Sequence, residues 1–327
     1  MMQSIHVGID ISKATFNAAY KLHKGGKACW TDSEFSNDAK GFKALVAWAG
    51  PDACFTMEAT GLYHVNAAMY LHGKGRTVHV SNPLQIKRFS QMQFRRAKTD
   101  KADARVIAEF SEVNAERLGN WNPPAENLAK ARSLLSALRL LRVHGVAKLR
   151  SIQALRLTPA GHEVATTLEA ALQAERTVIL GMEKELVDLV RASHAEEFDM
   201  AQTIGAIGPK TAAAVILATD GLKNFDSSRQ LSAYFGMSPR QYQSGTSVHG
   251  KGHICKMGNP YIRSLLYICA VSSLRHNKPC KDFYDSLLAR GKPKKVALVA
   301  VANKLLRILF AVMKNRQPWN PEVATTH

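Results

Sequence analysis

The sequence predicts an α/β domain followed by a long helical pair and a basic, mostly helical domain, and three observations carry that prediction. Short apolar strands alternate with helical segments over the first 115 or so residues. Helical periodicity then runs from 126 to 193 with one interruption. Beyond it, helices surround a Gly/Ser-rich segment in the most basic part of the chain. The expected boundaries are 1–120, 121–198 and 199–327.

Taken in order, His6-Val7-Gly8-Ile9-Asp10-Ile11 is a short apolar strand. Residues 15–22 and 28–35 are two more, joined by the turn residues His23-Lys24-Gly25-Gly26. Residues 38–49 have helical periodicity and stop at Gly50-Pro51. A fourth strand covers 53–58, a helix 62–72, and a fifth strand 77–80, halted by Asn82-Pro83. A helix from about 99 to 113 closes the unit. Three strands in meander and then helix-strand-helix-strand-helix give a mixed sheet covered by helices, the element order of ribonuclease-H-like nucleases.

From 126 to 193, Leu134, Leu135, Leu138 and Leu141, then Leu168, Leu172, Ile179, Met182, Leu186 and Leu189, mark two helices broken at Pro159-Ala160-Gly161. Folded back on each other they make an antiparallel pair, a spacer or an oligomerisation arm. A break is expected at 194–202, followed by the segment 244–258 and helices over 261–274 and 295–313.

Net charge is the informative part of the composition. The 327 residues carry a formal +18, of which 18 Lys/Arg against 5 Asp/Glu beyond residue 200 supply +13. Such an excess points to a polyanionic partner, nucleic acid rather than membrane, because no amphipathic basic helix with an aromatic face stands out. No run of about 18 apolar residues is apparent, so no membrane span is expected. MMQSIHVGID lacks the basic and apolar regions of a secretory signal, so the cytoplasm is the expected compartment. The five cysteines have no CxxC spacing and point to neither disulfides nor zinc.

Four acids stand out. Asp10 interrupts an apolar strand, where a carboxylate is disfavoured and costly to bury. Glu58 ends another apolar strand, and Asp100 and Asp103 lie three apart at a helix start, hence on one side of it. Read singly, Glu58 is a surface charge, Asp100 an N-cap and Asp103 a residue favoured by the helix dipole. Read together, on adjacent strands crossed by the last helix, they form a carboxylate cluster that repels itself unless divalent cations neutralise it. Oxygen ligands of this kind suit Mg²⁺ or Mn²⁺, and two such ions activate an attacking oxygen and stabilise a leaving one at phosphorus.

The basic domain holds Arg240-Gln241-Tyr242-Gln243-Ser244-Gly245-Thr246-Ser247-Val248-His249-Gly250-Lys251-Gly252, with Lys256 and Arg263 nearby. Hydroxyls on small residues among cations fit a nucleophile that attacks a phosphodiester. On spacing alone they fit better a plain Ser/Thr turn whose basic residues hold phosphates. Upstream, Ile204-Gly205-Ala206-Ile207-Gly208-Pro209-Lys210-Thr211-Ala212 resembles a helix-hairpin-helix turn, which binds phosphate through backbone N–H groups. Ala206 replaces one of its two usual glycines, and a plain turn between packed helices is the alternative.

These pieces in this order resemble the DEDD-type transposases of insertion-sequence family one-ten, recombinases related to the Piv invertase. The resemblance rests on VGIDISK, MEATGLY, AKTDKADAR, IGPKTAAAV and LSAYFGMSPRQYQSGTSVHGKGHICKMGN, and runs nearly end to end. It implies a RuvC-like N-terminal domain, a coiled-coil linker and a C-terminal transposase domain. It implies that Asp10, Glu58, Asp100 and Asp103 are the family's metal-binding tetrad, and that its catalytic serine falls on Ser244, with Thr246 and Ser247 as neighbours. It further implies recombination of DNA guided by a structured RNA from the element, by homo-oligomers whose acidic and serine domains meet across subunits.

Three functions follow for testing. The first is a transposase that cuts and rejoins strands through metal-bound carboxylates and a phosphoserine link, with Arg240, Lys251, Lys256, Arg263 and Lys210 on nucleic acid. The link conserves bond energy, consistent with the absence of a GxxxxGK[ST] loop. The second is a hydrolytic junction nuclease in which the acids alone cut. The third is a non-catalytic nucleic-acid-binding scaffold.

Overall fold

The computed structural model describes residues 5–24, 27–59, 61–93, 100–240, 243–244, 248–249 and 253–322. Residues 23, 24, 27, 100, 243, 244, 248 and 249 are described by their backbone alone. The chain divides into two compact units, Met1–Pro124 and Ala125–His327.

The first unit is built on a five-stranded mixed sheet of order β3-β2-β1-β4-β5. Strands β1 (Ile5–Ile11), β2 (Thr15–Lys24) and β3 (Lys27–Ser36) form an antiparallel meander. Strands β4 (Ala53–Glu58) and β5 (Val78–Ser81) add in parallel on the other side of β1. Side chains alternate across a strand, so Val7 and Ile9 face one way and His6, Gly8 and Asp10 the other. The apolar face packs with Phe55, Met57 and Phe16 against α1 (Ala39–Ala49) and α2 (Tyr63–Gly73) through Phe42, Leu45, Ala67 and Leu71. Helix α1 starts where the Asp38 carboxylate accepts the Gly41 N–H at 2.8 Å and ends at Gly50, whose φ of 83° suits glycine.

Two helices follow. Helix α4 (Asp100–Val113) lies where a closing helix is expected, but α3 (Pro83–Met92) was not anticipated. Asn82-Pro83, which ends a strand by its sequence, also opens this helix. The Asn82 side chain accepts the Leu84 N–H at 2.9 Å, and Pro83 takes the first turn, where no N–H is needed. Ile86 and Phe89 of α3 pack with Val106, Ile107 and Phe110 of α4.

The second unit begins with α5 (Glu126–Leu155) and α6 (Gly161–Ser193). The two run antiparallel and are bridged by the ion pairs Lys130–Glu185, Lys148–Glu175 and Arg156–Glu169. Where α5 and α6 join, a Cβ on Gly161 would lie 2.2 Å from the Leu155 carbonyl oxygen, so only glycine fits. Ala131, Leu138, Leu186 and Val190 near one end of the pair share a core with the remaining helices. These are α7 (Ala195–Gln202), α8 (Pro209–Thr219), α9 (Ser228–Tyr234), α10 (Pro260–His276), α11 (Lys278–Ala289) and α12 (Lys294–Asn315). The break expected at 194–202 is therefore a helix: Phe198 and Ala201 dock on the core while Glu196, Glu197 and Asp199 mask the apolar spacing. Helix α12 is long and apolar enough to cross a membrane by composition, contrary to expectation. Its Val301, Ala302, Leu305 and Leu309 are buried in the core instead.

Candidate acidic site and serine segment

Strands β1 and β4 run side by side, with Ile9 opposite Met57. Asp10 and Glu58 are the next residues, so they stand beside each other on the face away from Ile9 and Met57, at the C-terminal ends of parallel strands roughly 5 Å apart. Both are partly exposed. Asp10 also lies opposite Asn17 of β2, and Glu58 opposite Ser81 of β5.

Helix α4 covers that face. A Cβ on Gly8 would lie 2.2 Å from both the Ala104 carbonyl oxygen and the Ala108 nitrogen, so the helix rests directly on the strand. Farther along, the Thr56 hydroxyl donates to Ser111 Oγ at 2.7 Å, and His6 Nδ1 stands 3.0 Å from the same oxygen. From Ser111 beside His6, through Ala108 and Ala104 over Gly8, the helix runs back toward the end of β1 that carries Asp10. Asp103, partly exposed, directly precedes Ala104. Asp100 is the first residue of α4, and its side chain lies outside the described residues.

Asp10, Glu58 and Asp103 are thus brought to one end of one face. Among the described residues no three His, Cys, Asp or Glu side chains stand close enough to hold an ion. The three acids offer carboxylate oxygens, which fit a hard divalent cation and not a soft one.

One ion pair beside the acids was not anticipated. Asp32 of β3 binds Arg105 of α4, and Lys101 Nζ lies 4.0 Å from its other oxygen. The Arg105 guanidinium sits 5.5 Å from the centre of the Trp30 ring. No sequence signal marks the pair, whose partners are 73 positions apart. At the opposite end of the same face, burial lowers the His6 imidazole from its ordinary 6.5 and pushes the Cys54 thiol up to about 11.

In the second unit the serine segment is held by backbone. Pro239 and Arg240 pair with Ile254 and His253. In a second two-stranded sheet, Gln243 and Ser244 pair with His249 and Val248. Gly236 and Gly258 close the base: a Cβ on Gly258 would lie 2.4 Å from the Tyr234 carbonyl oxygen, and one on Gly236 2.6 Å from that of Met257. Ser244 therefore belongs to a short antiparallel ladder; its side chain, and all of Thr246, Ser247 and Lys251, lie outside the described residues.

The basic residues differ in their commitments. Arg240 is exposed on its ladder. Lys256, also exposed, has φ 58° and gives its backbone N–H to the Gly236 carbonyl at 2.9 Å. Arg263 donates to the Phe235 carbonyl at 3.0 Å. Lys210, in the first turn of α8, is mostly buried and bonded to Glu183 of α6 at 2.7 Å. Burial lowers its pKa against the opposing pull of Glu183.

Residues 7–158 match a transposase family model of the DEDD type of IS110, and residues 199–285 match the model of the transposase IS116/IS110/IS902 family. Over 98% of its length the chain is 28% identical to the pilin gene-inverting protein of Moraxella bovis, of which it covers 99%. The corresponding protein of Moraxella lacunata is 28% identical over the same share of both chains. A transposase for insertion sequence element IS1111A from Coxiella burnetii is 26% identical over 96% of this chain and 90% of its own.

Proposed function

Because the chain belongs to the IS110-type family of transposases, we propose that it cuts and rejoins DNA with a carboxylate set in its first unit and a serine nucleophile in its second. One observation carries this reading: Asp10 and Glu58 end neighbouring parallel strands on the face that α4, with Asp103, crosses. Two carboxylates side by side at the ends of apolar strands disfavour each other's charge, which a bound cation would relieve.

Asp10, Glu58, Asp100 and Asp103 would hold Mg²⁺ or Mn²⁺. Such an ion, when bound, supplies charge stabilisation at a phosphodiester. The carboxylates themselves would hold and orient that ion, while cations of the second unit such as Arg240 and Lys256 would hold the scissile phosphate. Ser244 Oγ attacks phosphorus and forms a phosphoserine ester as the bond to the DNA oxygen breaks, and the serine proton passes by way of a base to that leaving oxygen, which departs as a hydroxyl. Attack by an incoming DNA hydroxyl on that ester restores a phosphodiester and frees the serine, so bond energy is conserved without a nucleotide cofactor.

The +18 charge supports nucleic acid as the partner. Guidance by an element-encoded RNA, action as a homo-oligomer and a RuvC-like first unit belong to the same proposal and rest on the family resemblance; the boundaries 1–120, 121–198 and 199–327 rest on the periodicity of the sequence, and a cytoplasmic location goes with the DNA substrate. The test is strand cleavage by the purified protein with its element's DNA and RNA in Mg²⁺. Asp10→Asn and Glu58→Gln are expected to reduce it at least ~100-fold with folding intact. Cleavage that survives both substitutions overturns the reading.

A further inference from the structure

We propose that Asp32 and Arg105 are positioning residues, whose ion pair locks the first turns of α4 over the sheet and so fixes where Asp103 stands relative to Asp10 and Glu58. The proposal rests on the carboxylate reading above.

The register shows what the pair does. One row crosses the sheet from Asp32 through Ala19 and Gly8 to Thr56 and His79. Ala19 and Gly8 in its middle are small, which lets the helix backbone touch the strand at Gly8. At one side of this seat Ser111 binds Thr56 and His6. At the other, Arg105 reaches over to Asp32. Helix α4 is therefore pinned at two points on either side of a glycine contact, and Asp103 belongs to the pinned first turns, two residues along the chain from both Lys101 and Arg105, the cations that meet Asp32.

The pair is well placed to hold geometry. Asp32 is 19% exposed and Arg105 36%, so water screens their attraction less than at a free surface. Arg105 also lies over Trp30, two residues before Asp32 on the same strand face, which restrains the guanidinium plane. A planar guanidinium between a carboxylate and an aromatic ring defines one orientation, which a lysine would not. Such support sets how well ligands meet an ion, and carboxylates displaced by about 1 Å bind it poorly.

Charge and geometry predict opposite signs, so the test is direct. Removing the Arg105 cation strengthens attraction for a divalent ion if only Coulomb forces act. Losing the clamp weakens it. Ca²⁺ and Mn²⁺ binding to the full-length protein would be measured by calorimetry for the parent, Arg105→Gln, Arg105→Lys and Asp10→Asn, with melting recorded in EDTA. Arg105→Gln is expected to weaken Ca²⁺ binding about fivefold or more, and Arg105→Lys to restore only part of it. Asp32→Asn should match Arg105→Gln. Unchanged or tighter binding in Arg105→Gln overturns the proposal, as does weaker binding that appears only where the EDTA melting curve shows an unfolded fraction. If Asp10→Asn also leaves binding intact, the carboxylate reading itself has failed, an outcome distinct from failure of the clamp alone.

Discussion

Gly8 lies directly beneath Ala108: a Cβ added to the glycine would come within 2.2 Å of the alanine's backbone nitrogen. The acidic site depends on this contact, because α4 reaches the ends of β1 and β4 only by resting its backbone on the strand. Gly8→Ala must push the helix away or tilt the strand. The expected cost is about 3 kcal/mol, the upper end for overpacking, with strand cleavage lost even where the protein folds. Urea unfolding and a cleavage assay on the same preparation check both parts.

Ser111 is shared by Thr56 and His6 in a chain of three polar groups, of which Ser111 and Thr56 are buried and His6 partly so. Ser111→Ala strands two of them without a partner and is expected to cost about 1–3 kcal/mol. A paired substitution, Ser111→Ala with Thr56→Val, should recover part of that loss, because the Thr56 hydroxyl is then no longer buried unmet and only His6 lacks its partner. A double-mutant cycle in unfolding free energy checks the coupling.

Acid sensitivity follows from His6. Burial lowers its folded pKa below the ordinary 6.5, with Glu112 opposing and His79 adding to the shift. A depressed folded value means that the unfolded chain takes up the proton first. The stability linked to neutral His6 is thus complete above 6.5 and is lost as pH falls through the folded value. Unfolding midpoints followed from pH ~7.5 down to ~5 should fall less steeply in His6→Asn than in the parent.

Lys210 and Arg240 are expected to behave differently although both are basic. Lys210 is committed to Glu183, so Lys210→Gln should cost about 1–2 kcal/mol of stability through the half-buried carboxylate it leaves behind. Arg240 is exposed, so Arg240→Ala should leave stability within about 0.5 kcal/mol. Its effect falls on nucleic acid: the slope of log affinity against log salt should shrink by about 0.9 if it contacts one phosphate. Unfolding curves and salt titrations of DNA binding separate the two.

Much of the first unit was legible because its signals are local. The strand 53–58 and the helix after Asp38 are set by apolar spacing and by a cap that the residues themselves announce. Helix α3 was hidden because Asn82-Pro83 carries two meanings, a strand stop and a helix start, and only tertiary packing of Ile86 and Phe89 decides. Helix α7 was hidden by its acids, since a short helix docked by two residues has almost no periodicity to read. At the candidate site Asp10 was conspicuous because a carboxylate in an apolar strand contradicts its surroundings. Asp32 was not, because an acid on an edge strand next to Ser33 and Glu34 looks ordinary until the fold brings Arg105 to it.

Covalent capture tests the central claim most directly. Protein incubated with its element's DNA and RNA in Mg²⁺ would be denatured, and any DNA that remains attached to the chain mapped to its residue by mass spectrometry. The account predicts a phosphodiester on Ser244, absent in Ser244→Ala and in Asp10→Asn. Cleaved DNA with no attached protein, and cleavage undiminished in Ser244→Ala, would contradict it.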